Sequence, residues 1–299
     1  DNEEPDLPIE ENVENMENMN FDFEAFPPSE EDIEGLENLL AQIFLRSEID
    51  RKELANTIIK LSPFGCVYKP AEEFADEEDS QSIVCGVLSI IGLNSPEKHI
   101  VELSNFLLQR AKKFSTSSIF RQFEIYLKVN DESIEDTKFK TGFLINERLL
   151  QFPVQISAPA FTSICNDYNS LPKKEHYQMF LLIIKIRINT DDFSLAKNSE
   201  QQGSEEDKNP KKKIGKAERR RLLTDASDVI FDNPEEELLF NMQQHFPYFQ
   251  YPVESEVEST SRFNCIRRNG QVYRPYRRVC LLTEEQFLQF AQLVANSSF

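Results

Sequence analysis

The sequence predicts an α/β (α+β) fold in which a single mixed central sheet is flanked by helices. The most apolar run, residues 177–188, ends in alternation of isoleucine with Lys185 and Arg187, which is typical of a β-strand. A second apolar run at 82–93 is rich in β-branched residues and predicts another central strand beside the first. Segments with helical spacing of apolar residues lie between and around the strand-like runs, so helices packed on a sheet are expected.

The run at 177–188 is predicted to be the central strand. Its first half is continuously apolar, as expected for a strand that is covered on both faces. It is shorter than the roughly 20 apolar residues that a membrane-spanning helix needs, and we expect no membrane association. A short buried helix is the alternative, because a short apolar run fits either period.

One domain is expected to span residues 21–299. Residues 1–20 carry no basic residue and few apolar ones, so we predict a disordered acidic N-terminus. Alternating side chains predict a strand at 21–26, and Ser29 with Asp32 predicts the N-terminal cap of a helix. The elements from there to the central strand are predicted as helices at 33–44 and 50–61, strands at 66–68 and 82–93, helices at 96–110 and 119–127, a strand at 139–146 and a helix at 156–164.

The composition changes sharply after the central strand. Residues 194–221 are polar and lack the periodicity of a buried segment, so we predict a disordered loop inside the domain. The elements after it are predicted as a strand at 228–231, a helix from 234 with acids in its first turn, a strand at 246–253, a hairpin turning at 269–270, a strand at 279–283 and a final helix capped by Thr283 and Gln286.

The charge balance points toward a basic partner. The chain of 299 residues has 33 basic and 52 acidic residues, a net charge of −19 and a pI near 4.7. Such a body repels phosphate backbones, so direct nucleic-acid binding is not expected, although the alternative is that the charge serves only solubility. The arginines between 267 and 278 are the alternative RNA-binding feature, but we expect them to pair with acids of the chain itself.

Motifs that carry catalytic chemistry are absent from the sequence. There is no phosphate-cradling glycine motif among the 8 glycines, and His99, His176 and His245 lie far apart without a metal-binding or nucleophile motif. A catalytic triad forms in space, so spacing alone does not exclude one. The five cysteines form no CxxC pair, which favours reduced thiols in the cytosol or nucleus, and the acidic start predicts no signal or transit peptide. We therefore expect a protein that is not an enzyme and binds neither cofactor nor metal.

Two clusters of like charge are candidate functional segments. The acidic cluster is a candidate metal site only if the fold brings its carboxylates together, and otherwise it is a solvated loop. It comprises Glu72, Glu73, Asp76, Glu77, Glu78 and Asp79. The basic one fits a nuclear-import signal, with a nucleic-acid tail and a solvated loop as alternatives; it comprises Lys211, Lys212, Lys213, Lys216, Arg219, Arg220 and Arg221.

Longer strings carry a family resemblance. Residues 23–26 read FEAF, the helix at 33–44 follows, and residues 142–161 read GFLINERLLQFPVQISAPAF. With the order of the remaining segments, this resembles the BCCIP family from residue 21 to the C-terminus. The resemblance implies an N-acetyltransferase-like fold without an acetyl-CoA site, and the sequence has no Q/R-x-x-G-x-G/A string that would bind the pyrophosphate of that cofactor.

The resemblance also implies a nuclear binding protein that shuttles to the cytoplasm with import and export receptors. Fungal members chaperone a basic large-subunit ribosomal protein in ribosome biogenesis and support nuclear export of a lipid kinase. Animal members act in cell-cycle control and DNA repair, and bind a recombination protein and a cyclin-dependent kinase inhibitor. No motif assigns these partners to single residues. We expect the acidic segments at 1–20 and 72–79 to attract a basic client over long range.

Overall fold

The computed structural model describes residues 23–71, 83–128, 139–150, 152–189, 229–242, 244–258, 260–261 and 264–299. The strands of this part are β1 (Phe23–Phe26), β2 (Cys66–Pro70), β3 (Gly86–Gly92), β4 (Thr141–Arg148), β5 (Met179–Asn189), β6 (Val229–Phe231), β7 (Tyr248–Pro252), β8 (Ile266–Arg268) and β9 (Gln271–Thr283). The α-helices are α1 (Ile33–Phe44), α2 (Arg51–Lys60), α3 (Lys98–Phe114), α4 (Ser117–Leu127), α5 (Ser157–Ser170), α6 (Leu238–Asn241) and α7 (Glu284–Ala295). None of these helices has the length and apolar character to cross a membrane.

The strands form one mixed sheet in the order β1-β2-β3-β4-β5-β9-β7, with β6 paired to β5 and β8 paired to β9. Neighbouring strands run antiparallel except β4 and β5, which are parallel. That parallel pairing joins Thr141–Leu144 to Met179–Leu182 and then stops. Farther along β5, β6 pairs with Ile186–Ile188, so β4 and β5 diverge and leave an opening between them.

Helices cover both faces of the sheet, as the predicted fold class requires. Helices α1 to α4 pack on one face and α5 to α7 on the other. Strand β5 is buried along all 11 residues, and its side chains alternate between the faces: Leu181 enters the first core and Phe180 the second. The prediction of a doubly covered central strand is confirmed, and the alternative of a short buried helix is wrong.

Two local predictions need correction. The run at 82–93 forms β3, but β4 lies between β3 and β5, so the two most apolar runs are not neighbours. Strand β4 is as deeply buried as β3, and its apolar pattern does not tell which of them pairs with the central strand. The helix predicted from 234 begins as a 3₁₀ turn at Pro234–Glu237, and only the short α6 follows. The reason lies in a buried polar network described below.

Predicted caps and turns are present at both ends of the chain. Ser29 and Asp32 bond reciprocally, although they cap the short 3₁₀ turn Glu30–Asp32 that leads into α1. Thr283 and Gln286 form the predicted capping box of α7. Asn269 and Gly270 have φ values of 52° and 77°, the left-handed conformation that a tight hairpin turn between β8 and β9 needs.

Candidate functional site

Both charged clusters singled out in the sequence fall outside the described residues. The acidic cluster lies in 72–82, between the end of β2 and the start of β3. Because β2 and β3 are antiparallel neighbours, the end of β2 and the start of β3 lie at the same end of the sheet. The basic cluster lies in 190–228, which connects β5 to β6. Their roles, like the predicted disorder of 1–20 and 194–221, stay predictions.

The opening between β4 and β5 is filled by charged side chains that belong to the protein. Lys185 on β5 forms a buried ion pair with Glu147 on β4. Arg148 Nη2 lies 2.6 and 2.7 Å from the two carboxylate oxygens of Glu235, in the turn after β6. Arg148 and Glu235 are almost completely inaccessible to solvent, so each cation depends on its anion for compensation.

Amide side chains complete this network. Asn146 Nδ2 donates to Glu235 Oε1 at 2.9 Å and to Glu236 Oε1 at 3.0 Å, and Asn233 Nδ2 donates to Glu236 at 3.1 Å. Arg148 Nη1 also donates to Ser157 Oγ, at the start of α5. We call these groups, with Glu147 and Lys185, the buried polar network. It ties β4, β5, α5 and the 3₁₀ turn together where the parallel strands separate.

Burial shifts the titration of two carboxyls in the buried polar network. Burial, and then the charge of Glu235, raise the pKa of Glu236 well above its usual range. Burial also raises the pKa of Glu147, against the opposing effect of the Lys185 ammonium. The sequence had suggested that acids at the start of this helix serve its dipole, but Glu235 and Glu236 instead face inward to Arg148 and Asn146.

The raised pKa of Glu236 predicts a specific dependence of stability on pH. Because the folded protein holds this proton more tightly than the unfolded chain, the free energy of unfolding falls as pH rises from the ordinary glutamate pKa to the folded value. The slope for one proton is about 1.4 kcal/mol per pH unit. Glu236→Gln keeps the side chain uncharged, so we expect this variant to equal the wild type at and below the ordinary glutamate pKa and to exceed its stability at neutral pH and above.

Urea unfolding followed by circular dichroism in both pH ranges measures this difference. The matched control is Glu237→Gln, because Glu237 is the next residue and is exposed. The control is expected to follow the wild-type pH profile. Parallel profiles for wild type and Glu236→Gln would show that Glu236 is ionised in the folded protein at neutral pH.

The arginines near the C-terminus are largely directed inward. Arg274 Nη1 lies 2.5 Å from Glu254 Oε1. Arg277 is buried and donates to the carbonyl oxygens of Gln42 and Ile43 at 2.7 and 3.3 Å. Arg278 donates to the Gln250 side chain, and its guanidinium lies over the rings of Phe240 and Tyr248. The predicted pairing with an acid is confirmed for Arg274. Arg277 and Arg278 are also held within the protein, but by the carbonyl, amide and ring contacts just given, and Arg267 and Arg268 are exposed on β8.

Most of the net negative charge lies outside the described residues. The buried basic side chains of the described residues are Arg148, Lys185, Arg187, Arg277 and Arg278, and the buried acidic ones are Asp32, Glu147, Glu235 and Glu236, so the buried charges nearly cancel. The described residues contain 24 acidic and 22 basic side chains, a net charge of −2, so the remaining −17 of the total of −19 belongs to the segments outside them. This arrangement suits binding of a basic partner better than binding of a polyanion.

His99 takes a structural position. His99 Nε2 lies 2.9 Å from Thr57 Oγ1, and that hydroxyl donates to the carbonyl of Glu53. The Glu97 carboxylate lies 3.6 Å from the same ring nitrogen. In a catalytic relay the carboxylate contacts the other ring nitrogen, so His99 is not arranged as part of a relay. Across the described ranges, no three His, Cys, Asp or Glu side chains are grouped as a metal site would need.

Comparison with known proteins agrees with the resemblance. The BCCIP family model matches residues 18–239. The chain is 35% identical over 283 residues to the Protein BCCIP homolog of Caenorhabditis elegans, covering 91% of this chain and 78% of that protein. It is 26% identical over 152 residues to the BRCA2 and CDKN1A-interacting protein of Homo sapiens, covering 50% of this chain and 46% of that one.

A solved structure supports the same assignment at the level of fold. The crystal structure of BCP1 from Saccharomyces cerevisiae aligns with a TM-score of 0.50 and 14% sequence identity, over 93% of this chain and 90% of that one. At this identity the likeness speaks for the fold alone. With a family model matching most of the chain and a relative aligned along nearly all of it, this protein belongs to the BCCIP family.

Proposed function

We propose that this protein is a non-enzymatic nuclear chaperone for a basic ribosomal protein of the large subunit. The observation that carries the proposal is the net charge of −19, most of which comes from acidic segments such as 1–20 and 72–79. A newly made ribosomal protein exposes a basic RNA-binding face that aggregates or binds stray nucleic acid. An acidic escort supplies countercharge to that face and repels competing RNA.

The filled opening between β4 and β5 supports a binding role over catalysis. Here Arg148, Glu147 and Lys185 are bonded to partners within the protein. Acetyl-CoA binding is the prediction of the competing acetyltransferase hypothesis, and calorimetric titration with acetyl-CoA that gives no heat would remove it.

The proposed location is the nucleus, with shuttling to the cytoplasm. The basic cluster from Lys211 to Arg221 supports recognition by an import receptor, because such receptors read strings of Lys and Arg. Export receptors would return the protein, alone or with cargo such as a lipid kinase.

A second candidate function is an adaptor in cell-cycle control and DNA repair. The observation that favours it is the name of relatives in cattle, humans and mice, BRCA2 and CDKN1A-interacting protein. On this hypothesis the partners are a recombination protein and a cyclin-dependent kinase inhibitor. The two functions differ in which partner copurifies with the protein from nuclei.

Co-expression with a basic large-subunit ribosomal protein tests the chaperone proposal. We expect a stoichiometric complex on size-exclusion chromatography that keeps the ribosomal protein soluble at low salt. A ribosomal protein that precipitates, or elutes separately at every salt concentration, would reject the chaperone function and favour the adaptor.

Neutralising the acidic cluster is expected to slow client binding. Changing Glu72, Glu73, Asp76, Glu77, Glu78 and Asp79 to the corresponding amides removes long-range attraction, so the association rate at low salt should fall by about tenfold. Stopped-flow mixing at several salt concentrations measures this rate. The variant and wild type should converge at high salt, where screening removes steering from both. An unchanged association rate at low salt would show that the cluster does not contribute to client attraction.

A further inference from the structure

An apolar cleft lies at the end of the sheet where β3 stops and β4 and β5 start. Its volume is about 480 Å³, within the range of roughly 300–1,000 Å³ that is usual for binding pockets. Its apolar lining comes from α2 and the segment after it, from β3, and from the connection between α5 and β5; these side chains include Leu61, Phe64, Ile90, Leu171 and Tyr177. The cleft is open to solvent, and Leu61 in its wall is 36% exposed.

Gly142 on β4 lets Tyr177 take its place in the wall of the cleft. A Cβ atom at Gly142 would lie 2.8 Å from Tyr177 Cδ2 and 2.9 Å from Ile90 Cγ2, closer than side chains pack. The Tyr177 hydroxyl also lies near Gly92 on β3, where a Cβ atom would be in ordinary contact at 3.4 Å. The Tyr177 ring is also held edge-on by Phe180, with 5.8 Å between centroids. The cleft is therefore built from packed elements and exists without a partner.

The rim of the cleft is mainly acidic. Glu97 and Glu175 line it and are exposed. Glu97 also borders an adjoining recess that is lined by two more acids, Asp50 and Glu53, and by Lys98 and His99. Of the described residues that line the cleft, Lys140 alone is basic, and its ammonium donates to the carbonyl of Lys174. An apolar wall beside carboxylates can bind an apolar side chain that has positively charged residues before and after it in its own sequence.

We propose that this cleft binds an apolar side chain in a lysine- and arginine-rich segment of the client. The inference rests on the proposed function and names where and how that client is recognised. The apolar wall takes the anchor side chain, and Glu97 and Glu175 pair with the flanking cations. A second copy of the chain fits less well, because each copy carries a net charge of −19.

Two synthetic peptides test this proposal with the full chain. One is a short lysine- and arginine-rich peptide with a single central phenylalanine, and the other has serine at that place; both carry a fluorescent label for anisotropy titration. Burial of the phenylalanine is expected to give about tenfold tighter binding of the first peptide. Leu61→Ser combined with Leu171→Ser should abolish this preference. Leu293→Ser is the matched control, because Leu293 is 39% exposed on α7 and does not line the cleft.

A charge variant tests the rim independently and leaves the apolar wall intact. The double variant Glu97→Gln with Glu175→Gln should bind both peptides about threefold more weakly than a matched control. The control is Glu237→Gln with Glu285→Gln, which changes the net charge equally at exposed positions outside the cleft. Equal affinity of wild type for the two peptides would overturn the cleft proposal, as would equal losses in rim and control variants. If the ribosomal protein still co-elutes in that case, the proposed function stands. If neither peptide nor ribosomal protein binds, the proposed function fails as well.

Discussion

Replacing Arg148 by methionine is expected to lower the free energy of unfolding by about 3–5 kcal/mol. The substitution keeps most of the aliphatic volume and removes the guanidinium that contacts Glu235 at 2.6 and 2.7 Å. Glu235 is fully buried and would keep the Asn146 amide but lose its countercharge. The loss is a large part of the 5–15 kcal/mol that typically separates a folded domain from its unfolded chain. Urea unfolding followed by circular dichroism measures it, since the chain lacks tryptophan.

Two further variants separate the charge from other effects of the substitution. Lys128→Ala breaks the exposed pair with Glu124 at 2.8 Å and should cost no more than about 0.5 kcal/mol. Arg148→Met with Glu235→Leu removes both charges, and we expect it to recover part of the loss because no charge of that pair stays uncompensated. A double variant as unstable as the sum of the single ones would mean that the two residues act independently.

The elements of this fold could be predicted because their signals are local. In β5 the period of two directs Leu181 to one core and Phe180 to the other. The same locality explains the error over β3. Side-chain alternation shows that a strand is covered, but strand order depends on pairing between distant segments, and β4 pairs with β3 along its length while also joining β5.

The buried polar network was beyond the reach of sequence spacing. Lys185 is 38 residues from its partner Glu147, and Arg148 is 87 residues from Glu235. One signal was available: Lys185 and Arg187 interrupt a run that is otherwise apolar and covered on both faces, so each needed a buried partner. The sequence does not identify those partners, because Glu147 lies on β4 and Asp232 follows β6, both far from β5 along the chain.

The cleft between α2, β3 and the start of β5 also could not be predicted from the sequence. Its walls contain Leu61 and Leu171, each at the C-terminal end of a helix. The periodic pattern that predicts a helix ends at such positions, so it does not show where these side chains lie. Only the folded sheet brings them together. Its acidic rim is equally nonlocal, because Glu97 and Glu175 come from connections far apart in the chain.

Replacing Phe180 by alanine is expected to lower the free energy of unfolding by about 3–5 kcal/mol. Its ring is fully buried on the central strand and stacks on Phe287 of α7, with 4.0 Å between centroids and an interplanar angle of 13°. It also meets the edge of Tyr168 on α5 at 5.4 Å. The variant therefore leaves a cavity where α5 and α7 contact the sheet.

Phe139→Ala provides the matched comparison at an exposed position. Phe139 is 45% exposed and its ring contacts Tyr126, with 5.1 Å between centroids, so the same truncation should cost only about 1 kcal/mol. A double-mutant cycle of Phe180→Ala with Phe287→Ala should give a coupling free energy of about 0.5–1.5 kcal/mol from the stacked pair. If Phe180→Ala costs no more than Phe139→Ala, β5 is not the packing centre of the second core. In that case α5 and α7 would owe their positions mainly to contacts with each other.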